Sequence, residues 1–249
     1  MSRLSGVYVK EFTGISRNRF VYPKMGRQFL FTRFIRYYRR KGIVNTICHA
    51  FQKIRELLFR KPDILFFVDL PRLKNEEYII SDNVGVECVR SEAEISKQDL
   101  NMLFEHISEK IFAYYMEERF SKGALLWLVK VDGMLAGYIW SIAQRTIKPY
   151  YFPMTEKDVH LFDNFIFEEL RGRGINQALV NYVLAKLRKK GLARAFIETN
   201  VANTPEIRAL AKTGFVKFGL GRKYHIHGYC VAIWSKVTYC IRPEEELCE

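Results

Sequence analysis

The chain has 249 residues, 49% of them hydrophobic and 14% aromatic, with 40 Lys+Arg against 27 Asp+Glu. That length fits one large domain, or a domain with an appendage, and the aromatic content excludes wholesale disorder. No apolar run approaches the ~18–20 residues of a bilayer span, and Lys10 and Glu11 interrupt any signal-peptide core, so a cytoplasmic protein is expected.

The five cysteines, Cys48, Cys88, Cys230, Cys240 and Cys248, are scattered and form no C-x-x-C pair. That spacing points to reduced thiols rather than a zinc ribbon or a disulfide framework, and no metal site is expected.

The charge is concentrated at one end. Residues 1–62 hold 15 Lys+Arg and two acids, Glu11 and Glu56, and so carry the whole net charge of +13. Residues 28–40 place Phe31, Phe34, Ile35 and Tyr38 at helical spacing among Arg33, Arg36, Arg39 and Arg40. After Gly42, a second helical stripe runs through Ile47, Ala50, Phe51, Ile54, Leu57 and Leu58. Two basic amphipathic helices would suit an anionic membrane surface, which makes a peripheral position at the inner membrane face an expectation. They would equally suit an acidic carrier, or a stripe docked on the neighbouring domain. Nucleic acid ranks below these partners because no recognised nucleic-acid module is present.

Residues 1–26 show no clear period and read as irregular. Residues 64–70 read as a buried strand or an extended connector, and the polar stretch 75–83 as a linker, which puts the domain boundary near residue 80. Beyond it the pattern is regular. A β-branched run covers 84–89. Leu100, Leu103, Phe104 and Ile107 have helical spacing, continued over 111–120 after a break near Ser108. Strands at 125–131 and 135–142 flank Asp132-Gly133, a hairpin turn that favours positive φ. Residues 145–157, with Pro149, Tyr150, Tyr151 and Pro153, form a loop. A strand over 160–167 leads to Arg171-Gly172-Arg173-Gly174 and a strongly periodic helix over 175–190. A strand at 193–198, a helix over 204–213 and strands at 215–219 and 229–237 complete the order.

Two glycines two apart, between a strand and a helix N-terminus, let the backbone approach a ligand while the first helical amides face it, a geometry suited to a diphosphate. A Walker A loop is absent, and Gln177 rules out the dinucleotide pattern G-x-G-x-x-G. The run FIFEELRGRGINQAL, followed by NTPEIRALAKTGF from Asn203 to Phe215, resembles the GNAT superfamily of acyl-CoA-dependent N-acetyltransferases. The family's loop pattern [QR]-x-x-G-x-[GA] falls on residues 169–174, and its later Asn and Gly-Phe pair fall on Asn203 and Gly214-Phe215.

The resemblance implies an α/β (α+β) fold over 84–240, with a mixed, mostly antiparallel sheet, helices on both faces and splayed parallel strands at the cofactor cleft. A basic helical extension would cover 1–80 and an acidic tail 241–249. It further implies acetyl-CoA as co-substrate and acyl transfer to a small-molecule amine acceptor, with an amino-sugar or lipid-linked amine as first choice. The backbone of Phe165 and Ile166 would pair with the pantetheine arm. The amides of Arg171, Gly172, Arg173, Gly174, Ile175 and Asn176 would hold the diphosphate, and Asn203 would bond the arm from the other side. Glu169 stands where the family has Gln or Arg, Glu206 where it has Ala, and Leu210 where many members have a Tyr acid. The acid would then come from Tyr224, His225 or His227. The base would be His160 or Asp163, which strand parity places on opposite faces. A non-catalytic coenzyme-binding module is the rival reading, supported by Leu210.

Overall fold

The computed structural model describes residues 14–18, 61–73, 83–148, 150–226 and 229–236. The helices expected over 28–40 and 45–58, nearly all of the 75–83 linker, Pro149, His227 and the 241–249 tail lie outside these residues.

The strands are β1 (Gly14–Asn18), β2 (Asp63–Asp69), β3 (Val84–Val89), β4 (Leu125–Val131), β5 (Met134–Ala143), β6 (Asp158–Ile166), β7 (Arg194–Asn200), β8 (Val216–Ile226) and β9 (Tyr229–Lys236). The helices are α1 (Lys97–His106), α2 (Glu109–Ser121), α3 (Ile175–Lys189) and α4 (Thr204–Leu210). Local chemistry sets several of these boundaries. Ser96 caps α1, its Oγ accepting the Asp99 N–H at 3.1 Å. Asp132 and Gly133 take φ of 51° and 78°, the paired positive values of a tight hairpin turn. Gly191, at φ 80°, stops α3.

The nine strands among the described residues lie in one sheet, in the order β1-β9-β8-β2-β7-β6-β5-β4-β3. Among the described residues, β6–β7 is the parallel pair and the other neighbours are antiparallel. Residues 14–18, within the stretch read as irregular, form the edge strand beside β9.

The place of β2 changes the domain reading. It runs antiparallel to β7 from Asp63↔Asn200 to Asp69↔Arg194, and on its other edge it pairs with β8. A strand from before residue 80 therefore sits inside the sheet, so a boundary at 80 cuts through the domain's own sheet. The unbroken apolar run 64–68 is what a strand covered on both faces requires. Phe66 and Val68 join the core under α3, while Leu65 faces the opposite side. Strand β8 also runs past its expected end at Gly219. A Cβ at Gly219 would press on the Ser235 carbonyl, and one at Gly221 would run into the Tyr151 ring, so both glycines serve close packing within the strand.

Three clusters bury the sheet. Leu179, Val183 and Leu187 of α3, with Leu210 of α4, cover Val159, Leu161, Ala195 and Ile197 on one face. On the other, Leu103, Phe112 and Met116 of α1 and α2 cover Leu128, Tyr138 and Trp140. Beside them Tyr150 and Tyr151, from the loop before β6, lie on Leu65 and Phe196.

The parallel pair is short. Strands β6 and β7 share three rungs, Asp158↔Arg194, Val159↔Ala195 and His160↔Phe196. Beyond these, β6 continues along β5 and β7 along β2, so the two strands splay into a V. Its closed end is clamped by a bidentate ion pair, Arg194 Nε and Nη2 donating to Asp158 at 2.8 and 2.9 Å.

Candidate active site

The glycine loop and the start of α3 stand at the open end of the V. Gly172 and Gly174 have φ of 81° and 78°, a region that side-chain-bearing residues rarely adopt, and both are exposed with open space around them. Gly174 precedes α3 directly, and among the described residues no side chain caps the helix. Among the described residues nothing accepts from the amides of Gly174, Ile175 and Asn176. These unpaired donors, at the positive end of a fifteen-residue helix, form a cradle for an anion.

The two loop arginines turn back on the backbone. Arg171 Nε donates to the Ile166 carbonyl at 3.0 Å, Nη1 to Glu168 at 3.2 Å, and the guanidinium lies over the Phe165 ring. Arg173 reaches the Glu169 carbonyl at 3.4 Å. The Glu169 side chain bonds His106 Nε2 at 3.1 Å, and that imidazole stacks on Phe167. Phe165 and Ile166 end β6, where their backbones pair with Tyr138 and Gly137 of β5. Asn203 caps α4, its Oδ1 accepting the Glu206 N–H at 3.4 Å.

The splay point carries the titratable groups. His160, on the last shared rung, lies with its Nε2 2.8 Å from Glu198 Oε2 of β7. Lys223 of β8 donates to the other carboxylate oxygen at 3.1 Å and lies over the Tyr151 and Tyr150 rings. Burial opposes ionisation of Glu198, but the charges and hydrogen bonds of His160 and Lys223 outweigh it and hold its carboxyl at about 2. An ionised Glu198 can only accept, so in the neutral imidazole the proton sits on Nε2 and Nδ1 carries a bare lone pair. Among the described residues that Nδ1 is buried and has no partner. Tyr150 packs against the ring, and its buried hydroxyl is pushed well up, first by burial and then by the Glu198 charge. Tyr150 and Tyr151 are buried, so within the 145–157 loop they are wall rather than surface, Tyr151 donating to Asp63 at 2.6 Å.

Asp163 and His160 do not fall on opposite faces. The register of β6 against β5 shifts between Tyr138 and Trp140, and Asp163 takes φ 48°. This bulge breaks the two-residue alternation on which the parity argument rests. Asp163 therefore points to the α2 side and meets Arg119 Nη2, while the guanidinium lies over Tyr115, Trp140 and Phe162. Phe162 in turn stacks on His160. Asp163 thus serves as counter-ion to a buried arginine rather than a free base. Tyr224 follows Lys223 on β8, so strand alternation turns it to the other face, away from His160. Of His225 the backbone is described, paired with Cys230.

The sequence reading missed Glu198, Lys223 and Arg119. Glu198 had a local signal, since alternation in β7 sets it on the same face as Phe196, the rung partner of His160. Nothing local marks Lys223 or Arg119.

A sheet with one splayed parallel pair, an uncapped helix at the mouth of the splay and a glycine loop before it defines an acyltransferase-like architecture. Residues 93–215 match the model of the acetyltransferase (GNAT) family, and this part of the chain is a GNAT acetyltransferase domain. No curated protein sequence matches the chain. Solved structures of similar fold include a GNAT-family acetyltransferase from Colwellia psychrerythraea, at 11% identity and TM-score 0.48, covering 72% of this chain and 56% of that one. A conserved protein of unknown function from Staphylococcus epidermidis aligns at 16% identity and TM-score 0.45, covering 76% of this chain and 67% of that one. A GCN5-related N-acetyltransferase from Kribbella flavida aligns at 12% identity and TM-score 0.41, covering 70% and 57%. The chain spans little more than half the length of the first of these. Among the described residues no helix is long and apolar enough to cross a membrane, and no cluster of His, Cys, Asp or Glu would hold a metal ion.

Proposed function

We propose that the protein transfers an acetyl or other short acyl group from coenzyme A to an amine. The observation that carries this reading is the row of unpaired amides at Gly174, Ile175 and Asn176, opening onto a V that ends at His160. Those amides would hold the diphosphate, and the unpaired edge of β6 leading to Ile166 would receive the pantetheine arm. The coenzyme supplies a thioester, an acyl group already activated toward amines. His160 Nδ1 is the lone pair that takes the proton an attacking amine must lose, with Glu198 fixing the tautomer and stabilising the imidazolium. As the new C–N bond forms and the C–S bond breaks, the same imidazole returns that proton to the departing sulfur. This assignment needs no acid at Leu210, which is 0% exposed in the core under α3.

The acceptor we favour is an amino-sugar or lipid-linked amine, on analogy of fold. The charge of residues 1–62 supports an anionic membrane surface or an acidic carrier as partner. Buried Leu210 favours a second reading, a module that binds the coenzyme without turnover. Incubation with acetyl-CoA and a panel of amino-sugars and lipid-linked amines, followed by mass spectrometry, separates the two. Acetylated product supports the enzyme, and coenzyme binding with no product from any amine supports the module.

A further inference from the structure

A polar bridge crosses the mouth of the V. Asn164 of β6, four residues past the last shared rung, donates from Nδ2 to Asn176 Oδ1 at 2.6 Å and to Glu206 Oε1 at 3.0 Å. Asn176, in the first turn of α3, donates from its own Nδ2 to Glu206 Oε2 at 3.2 Å. Glu206 belongs to α4, which follows β7. One carboxylate, carried on the β7 arm, is therefore held by the β6 arm and by the helix whose amides form the anion cradle. One atom of the bridge is left over, since Asn164 Oδ1 is buried and has no partner among the described residues.

We propose that Glu206 is a charge gate for the acyl carrier, and that Asn164 and Asn176 read the carrier's amide arm once the carboxylate has moved aside. The proposal rests on the coenzyme reading above. A carrier whose diphosphate sits on the α3 amides and whose thioester reaches His160 must pass between β6 and β7, where the bridge lies. Displacing Glu206 frees the Nδ2 donors of both asparagines for the arm's carbonyls. The arm's N–H then supplies the donor that Asn164 Oδ1 lacks, removing the cost of an unsatisfied buried acceptor. An ionised carboxylate so near the cradle repels a diphosphate, whereas a neutral one does not.

Among the described residues no cation faces Glu206 to compensate its charge. Its contacts from β6 and α3 are neutral carboxamides, and from its own helix end Asn203 bonds its backbone N–H. Arg171 and Arg173 are turned to Ile166, Glu168 and Glu169. Burial raises the carboxyl above its ordinary value despite the two amide donors. Carrier binding should therefore favour the protonated form, and affinity should fall as pH rises through the Glu206 transition.

The test is CoA titration of the full chain by calorimetry between about pH 5 and pH 8, on wild type, Glu206→Gln and Asn164→Ala. The expected result is a wild-type affinity that falls with pH. Glu206→Gln should show a flat profile and bind on the order of tenfold more tightly at the alkaline end, the effect of removing one like charge near a bound anion. Asn164→Ala should bind more weakly at every pH. CoA binding by wild type and Glu206→Gln with the same affinity and pH profile would overturn the gate and leave the coenzyme reading standing. No CoA binding by any of the three would overturn both.

Discussion

Glu198 Oε2 and His160 Nε2 are 2.8 Å apart, joining β7 to β6 at the point where the two strands part. The bond fixes which imidazole nitrogen is free, and it sits at the bottom of the cleft whose mouth carries the anion cradle. Glu198→Gln keeps the shape but lets the side-chain amide donate to Nε2, reversing the tautomer. We predict a fall in kcat of about 100-fold, within the range for losing a general base, with CoA affinity unchanged. Steady-state kinetics paired with CoA titration checks it.

The same carboxyl predicts an acid limb of stability. Folding holds Glu198 at about 2 against an ordinary 4.5. Its contribution is complete above pH 4.5 and fades as pH falls toward 2. Thermal unfolding across this window should show a steeper loss for wild type than for Glu198→Gln, and parallel curves would contradict the assignment.

Asp163 and Arg119 should respond unequally to mutation, because the side chains are 51% and 8% exposed. Asp163→Asn strands a buried guanidinium and should cost about 2–4 kcal/mol, the range for breaking a buried pair discounted for its half-exposed partner. Asparagine tolerates φ 48°, so backbone strain does not confuse the result. Arg119→Met leaves a carboxylate that water can reach and should cost about 1–2 kcal/mol, the lost contact with the rings. Denaturant unfolding of both variants decides the order.

Gly221→Ala should push Tyr151 off β8 and break its 2.6 Å bond to Asp63. Overpacking of this kind costs about 1–3 kcal/mol. Since Tyr151 lies over Leu65 and Phe196 on the His160 side, the variant should raise KM for the amine and leave CoA affinity alone.

Removing β2 tests the sheet order. A protein of residues 84–240 would expose unpaired edges of β7 and β8 in mid-sheet and should aggregate, whereas one beginning at residue 61 should unfold cooperatively. Solubility and circular dichroism distinguish them.

Local chemistry announced much of this molecule. The Asp132-Gly133 turn, the α3 period and the Gly172–Gly174 loop are each written within a few neighbouring residues, and each appears in the structure at or near its expected place. What escaped notice depends on partners far apart in the chain. The run 64–68 shows that a strand is buried, but not that Asp63 pairs with Asn200. Alternation predicts faces until a bulge intervenes, and the shift at Asp163 has no signature in Phe162-Asp163-Asn164. The His160–Glu198 pair needed the strand order before its meaning could emerge.

In the proposed function, the amides after the glycine loop grip the coenzyme. Thermal-shift titration with CoA on wild type, Gly174→Ala and Gly174→Glu tests it most directly. Alanine carries the backbone cost of φ 78°, about 1–2 kcal/mol, without charge, and should keep a ligand-induced rise in Tm. Glutamate adds a carboxylate at the cradle and should abolish that rise. An equal CoA-induced rise in wild type and Gly174→Glu would mean that these amides do not hold the diphosphate.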